Sequence, residues 1–170
     1  MTSTRYVSTR GGMTPRPFTE ILIEGLAPDG GLVVPESYPR LTRSELDALR
    51  PLDYCDLAFA VISRFVDDIP AEDLRAIIDR TYTADVFGND EITPVEPLFD
   101  GLSLLCASNG PSLAFKDVAM QFLGHLFTYV LGKSGEHLNI LGATSGDTGG
   151  AAIYAMRSKP HLRPCRGGKR

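Results

Sequence analysis

No run of eighteen or more apolar residues occurs in the chain, which argues against a membrane-spanning helix. Nor does the opening Met1-Thr2-Ser3-Thr4-Arg5 carry the apolar stretch that a secretory signal requires, so a cytoplasmic location is expected. Cysteine is scarce: Cys55, Cys106 and Cys165 are odd in number, widely spaced and without a C-x-x-C pair. That pattern excludes a disulfide framework and a zinc cage, and Cys55 and Cys106 are expected to be buried packing residues. Histidine is equally sparse. His125 falls inside an apolar segment and reads as a core or edge histidine, while His137 and His161 have no ligand-like neighbours. No metal is expected. Internal repeats and low-complexity segments are also absent.

What remains is the composition of an ordinary soluble domain, 43% hydrophobic and 22% charged. A chain of 170 residues can bury roughly two thirds of the surface that its unfolded form exposes, enough for a real core. The net charge of -4 conceals a split. Residues 157–170 hold six Lys or Arg and no acid, leaving eleven basic against twenty-one acidic residues in the other 156. A basic tail can attract nucleic acid, but this one has two prolines and no aromatic residue to stack a base, so no nucleic-acid partner is expected.

The first 85 residues read as mostly helical. Phe18, Ile21, Leu22, Gly25 and Leu26 share one helical face, and Asp29-Gly30-Gly31 then turns the chain into a strand at Leu32-Val33-Val34. Thr42 with Glu45 forms a capping-box pattern for a helix through Arg50. Asp53 with Asp56 resembles it for a helix through Val66, and Pro70 opens a third helix with Leu74, Ile77 and Ile78 on its apolar side. From residue 86 the texture changes to two strand-like runs, Pro94 to Phe99 and Leu102 to Ala107, joined by the hairpin dipeptide Asp100-Gly101. Asn109-Gly110-Pro111 precedes a helix from Lys116 to Leu131 that is apolar around most of its circumference. Leu138 to Leu141 comes next as a buried-type strand, then a glycine-rich turn, then a helix from Ala151. Helix, strand, glycine-rich loop and helix begin an open α/β sheet, whose ligands bind where such loops leave the strands.

Two segments can carry chemistry. Between Gly142 and Gly150, glycines let backbone amides approach an anion while Thr144, Ser145 and Thr148 add hydroxyl donors at a helix N-terminus. The loop is neither a dinucleotide nor a triphosphate fingerprint, and its composition also suits an ordinary strand-to-helix turn. Asp147 within it either contacts a donor on the ligand or serves as a helix N-cap. Lys116 stands at the mouth of the apolar helix, where the dipole and apolar neighbours disfavour an ammonium, the setting that imine chemistry uses. A lysine near a helix start can equally be a solvated side chain paired with Asp117.

Three stretches together resemble threonine synthase, a fold-type-II pyridoxal-phosphate enzyme family. They are Tyr6 to Gly11 with Gly25 to Leu32, then Gly110-Pro111-Ser112-Leu113-Ala114-Phe115-Lys116-Asp117, then Ala143-Thr144-Ser145-Gly146-Asp147-Thr148-Gly149. The resemblance implies a small, mostly helical N-terminal domain over 1–85 and the first part of the cofactor-binding α/β domain over 86–157. It implies that Lys116 forms the Schiff base with pyridoxal 5'-phosphate and later moves protons. Thr144, Ser145, Gly146 and Thr148 would hold the substrate carboxylate, with Asp147 near the cofactor's phenolic oxygen, where relatives carry asparagine. The implied reaction, part of threonine biosynthesis, converts O-phospho-L-homoserine and water to L-threonine and phosphate. The alternative is a non-catalytic phosphate- or amino-acid-binding remnant. The chain departs from the family pattern at Cys106-Ala107-Ser108-Asn109, where Glu-Leu-Phe-His is usual, and at Ser112, where threonine is usual. The likeness covers residues 5 to 157, well under half of a family member. Residues 158–170 are therefore expected to be an unrelated basic tail on a truncated or frame-shifted product or a gene fragment, which would leave the isolated chain weak or inactive.

Overall fold

The computed structural model of the chain describes residues 3–165. The chain divides into two compact units, Met1–Ile78 and Asp79–Arg170.

In the first unit, β1 (Tyr6–Ser8) pairs antiparallel with β2 (Val33–Pro35), with Val7 opposite Val34. Helix α1 (Phe18–Glu24) ends at Gly25, whose φ of 76° suits glycine and closes the helix through its N–H to the Ile21 carbonyl. The turn from α1 to β2 is organised by Asp29, whose carboxylate accepts from Ser8 Oγ (2.7 Å), Gly12 N (2.8 Å) and Gly31 N (2.9 Å). These hydrogen bonds hold its carboxyl below the usual aspartate range. Helix α2 (Arg43–Leu49) starts on the complete Thr42–Glu45 capping box. Helix α3 (Tyr54–Ile62) starts on Asp53, which accepts from Asp56 N at 2.8 Å. It stops four residues short of the expected Val66, because the Arg64 and Phe65 amides tighten onto carbonyls three residues back. Helix α4 (Ala71–Thr81) buries Leu74, Ile77 and Ile78 as its spacing predicts.

The second unit begins at Asp79, within the last turns of α4. Tyr82 stacks on Phe122 at 6.2 Å and donates its hydroxyl to the Val118 carbonyl at 3.1 Å, which ties the 79–87 stretch to the long helix of this unit. Short α5 (Ala84–Phe87) buries Phe87. The hairpin of β3 (Val95–Phe99) and β4 (Leu102–Leu105) turns on Asp100-Gly101, with Gly101 at φ 79°, and every residue of both strands is exposed. Helix α6 (Asp117–Ser134) buries Asp117, Gln121, Gly124, Leu126 and Leu131. Strand β5 (Leu138–Leu141) leads through a loop into α7 (Asp147–Met156), which packs on α6 and returns to β6 (Leu162–Cys165), parallel to β5.

Several expectations are corrected. Strand β5 alternates half-buried and exposed residues instead of being buried, and Leu141 is 81% exposed, because only β6 pairs with it among the described residues. The last helix starts at Asp147 rather than Ala151, since Thr144 caps it from the loop. Cys55 and Cys106 are half-buried, not buried. A strand stands in the 158–170 segment where none was expected. Ser158 (φ 60°) and His161 (φ 65°) turn the chain past Pro160, and the Leu138 amide bonds the His161 carbonyl at 2.9 Å to set the register of β6. Residues 166–170 lie outside the described residues. No helix among the described residues is long and apolar enough to cross a membrane.

Candidate functional site

The loop from β4 into α6 is built around a buried carboxylate. Asp117, the first residue of α6, is 0% exposed, and its Oδ2 accepts from both the amide and the hydroxyl of Ser112, each at 2.8 Å. Gly110 lies so near that a Cβ there would sit 2.4 Å from the Asp117 Cβ, so only glycine admits the approach. Leu113 takes φ 58° and donates its amide to the Gly110 carbonyl at 2.9 Å.

Lys116 occupies the N-cap position of α6, half-buried, with its carbonyl accepting from Met120 N at 2.9 Å. Its ammonium lies over the neighbouring Phe115 ring, 4.3 Å from the centroid. No carboxylate forms an ion pair with it among the described residues. The expected pairing with Asp117 is absent because that carboxylate turns back to Ser112.

The glycine-rich loop is shaped by Thr144. Its Oγ1 accepts from Gly146 N and Gly149 N, each at 3.0 Å, and so caps α7 from outside the helix. Gly146, at φ 150° and ψ −74°, adopts a backbone that side chains disfavour, and a Cβ on Gly149 would fall 2.4 Å from Thr144 Cγ2. The backbone amides of Asp147 and Thr148 therefore open the helix without an internal partner, at the positive end of its dipole. Asp147 and Ser145 are exposed, and Asp147 is the first helical residue rather than the N-cap. A Cβ on Gly150 would lie 3.8 Å from Ser112 Cβ. The start of α7 thus sits beside the loop that presents Lys116, so the two motifs are brought together.

Sequence reasoning missed the Asp117–Ser112 contact, although Gly-Pro-Ser followed by Asp five positions after the serine was its visible trace. It also missed Lys159, which lies in the segment read as a tail. Its Nζ reaches the His125 ring at 3.2 Å from Nε2, lying across Gly124. Burial first, then the charges of Lys159 and Arg80, pushes the His125 imidazole down to about 4. A cavity of about 420 Å³ in the first unit, lined by Ser63, Asp67, Asp68 and Pro70 among others, contains none of the expected site residues. No cluster of three or more metal-ligating side chains occurs among the described residues.

A lysine amine over the Phe115 ring, in a loop that adjoins the first turns of α7, suits an aldehyde-bearing anion such as pyridoxal phosphate. Comparison with known proteins points the same way. Residues 5–82 match the family described as the threonine synthase N terminus. Threonine synthase of Methylobacillus glycogenes is 59% identical over 166 residues, covering 94% of this chain and 35% of that protein. The fold is similar to that of the pyridoxal-phosphate-bound threonine synthase of Brucella melitensis, with TM-score 0.90, 42% identity, and coverage of 95% of this chain and 35% of that one. Yeast threonine synthase gives TM-score 0.87 and 38% identity over 95% of this chain and 35% of that one. The chain spans about a third of the length of the relatives it matches. Over that third, in sequence and in fold, it is similar to the N-terminal portion of threonine synthases.

Proposed function

We propose that this chain contributes the Lys116 side of a pyridoxal-phosphate-dependent threonine synthase, which converts O-phospho-L-homoserine and water to L-threonine and phosphate. The observation that carries the reading is the placement of an ion-pair-free Lys116 amine in a loop that touches the start of α7. When bound, the cofactor supplies an electron sink in its ring, which makes protons beside a substrate amine removable.

The chain's own residues do the rest. Lys116 would hold the cofactor through its Nζ, and the same amine stands where it could take a proton from the substrate and return it. The Phe115 ring beside it keeps water from one side of that nitrogen. The Asp147 and Thr148 amides, with Ser145 and Thr148 hydroxyls, bind the substrate carboxylate at the N-terminus of α7. Thr144 shapes that cradle, because the amides of Gly146 and Gly149 already occupy its oxygen. Asp147, exposed in the first turn of α7 and without a partner among the described side chains, would lie near the phenolic oxygen of the ligand. The relatives are about three times as long, so turnover belongs to the whole protein and cofactor capture is the step assigned to this portion.

The test is reductive trapping. The chain is incubated with pyridoxal phosphate, reduced with borohydride and digested, and the label is located by mass spectrometry. Label concentrated on the Lys116 peptide and lost in Lys116→Ala supports the proposal. Label spread evenly over Lys116, Lys133 and Lys159 would refute it and leave the non-catalytic binding role. In that case inorganic phosphate would still perturb the amide resonances of Asp147 and Thr148.

A further inference from the structure

We propose that Asp117 is the positioning residue for the Lys116 amine, acting through the clip that it closes on Ser112. The inference rests on the proposed role of Lys116 and adds the device that holds that side chain in place.

Packing does not fix the Lys116 loop. Leu113 is 77% exposed and Phe115 is 62% exposed, so their side chains find no apolar seat, and only Ala114 is buried between Pro111 and Lys116. Yet Leu113 keeps a positive φ, which costs a non-glycine residue of order 1 kcal/mol or more unless its surroundings impose it. The restraints are hydrogen bonds. Ser112 is tied twice to Asp117 Oδ2, and Leu113 N is tied to the Gly110 carbonyl. Residues 113–116 are thus the arc of a ring whose closing contact is the Asp117 carboxylate, and Lys116 is the last residue of that arc.

The carboxylate itself is held rigidly. It is fully buried against Gly110 and sits in the first turn of α6, where the helix dipole favours negative charge. Its second oxygen, Oδ1, has no partner, nor does the buried Nε2 of Gln121 one turn along the helix. Both bonds of the carboxylate therefore go to the loop. The same clip places Ser112 against Gly150, so a shift of the loop also moves Lys116 relative to the start of α7. Ser112 stands where the resemblance places threonine, and both residue types offer what Asp117 uses, a hydroxyl and an amide.

The experiment measures the rate of borohydride-trapped pyridoxal-phosphate labelling at Lys116 relative to Lys133 in the same digest, with far-UV circular dichroism reporting the folded fraction. Lys133 lies at the far end of α6 and is an internal reference. Asp117→Ala is expected to lower the ratio about tenfold, a loss typical of a displaced reacting group, and Asp117→Asn, whose amide oxygen can still accept, to stay within about twofold. Ser112→Ala, which removes one of the two bonds and leaves the core intact, is expected to fall between them. An Asp117→Ala protein that melts earlier but labels Lys116 at the native ratio would overturn the inference, as would an Asn variant as poor as the Ala variant. Should Asp117→Ala not fold, an unchanged ratio in Ser112→Ala overturns it alone. Absence of label on Lys116 in the native chain would instead sink the proposed cofactor-capturing role, so the two failures are distinct.

Discussion

Substituting alanine for two glycines of the same helix separates close packing from helix propensity. At Gly124 an added Cβ would meet the Ala155 carbonyl oxygen at 2.5 Å and Lys159 Cε at 2.9 Å, whereas at Gly132 nothing lies within 4 Å. Either change removes backbone freedom from the unfolded chain, a gain of roughly 0.5–1 kcal/mol in a helix interior. Gly132→Ala keeps that gain. Gly124→Ala must also offset overpacking, because the Ala155 carbonyl is backbone of α7 and the facing Ala151 and Ala155 are fully buried. Overpacking of that kind costs about 1–3 kcal/mol, leaving a net effect between about zero and a loss of about 2.5 kcal/mol. For a unit of this size each kcal/mol moves the midpoint by roughly 4–8 °C, so Gly124→Ala should melt below Gly132→Ala. Thermal denaturation followed by far-UV circular dichroism reads the difference. The added Cβ also presses on Lys159 Cε, whose Nζ reaches the His125 ring. If Gly124→Ala melts at or above Gly132→Ala, the close contact between α6 and α7 is wrong.

Thr144→Val keeps the shape of the side chain and deletes the oxygen that accepts from Gly146 and Gly149. A loss of about 1 kcal/mol is expected, as for other N-cap deletions, together with faster hydrogen exchange at the Gly149 amide. Unchanged exchange would show that the cap is not formed in solution. His125 should titrate near 4 by NMR, while Lys159→Met, which removes the neighbouring positive charge but leaves the burial, should raise its midpoint. Because its folded value lies below that of the unfolded chain, the neutral ring stabilises the fold fully above about 6.5, and that contribution is lost as pH falls from there towards 4. A His125 that titrates in the ordinary histidine range would refute its burial beside Lys159.

The features legible in the sequence were those decided within a few residues. Thr42 with Glu45, Asp53 with Asp56, Asp100-Gly101, and the spacing of Leu74, Ile77 and Ile78 each specify their own local geometry. Contacts across longer separations were hidden. Gly149 and Gly150 are poor helix formers and read as loop, yet they are helical because Thr144 reaches forward to cap them. Asp117 read as a surface partner for Lys116, since nothing in its immediate neighbours signals a charge with no exposure. The pairing of Lys116 with Asp117 does not form for the same reason: that carboxylate is bonded to Ser112. Strand β6 was invisible because Pro160 and Pro164 suggest an extended tail, while its pairing with β5 is decided across α7.

The double bond acceptance by Thr144 fixes the polarity of whatever meets that hydroxyl. Two amide protons claim its lone pairs, so the only thing it can offer outward is its own hydrogen. A cationic group presented there would find a second positive end and be turned away, while an electron-rich oxygen would be welcomed.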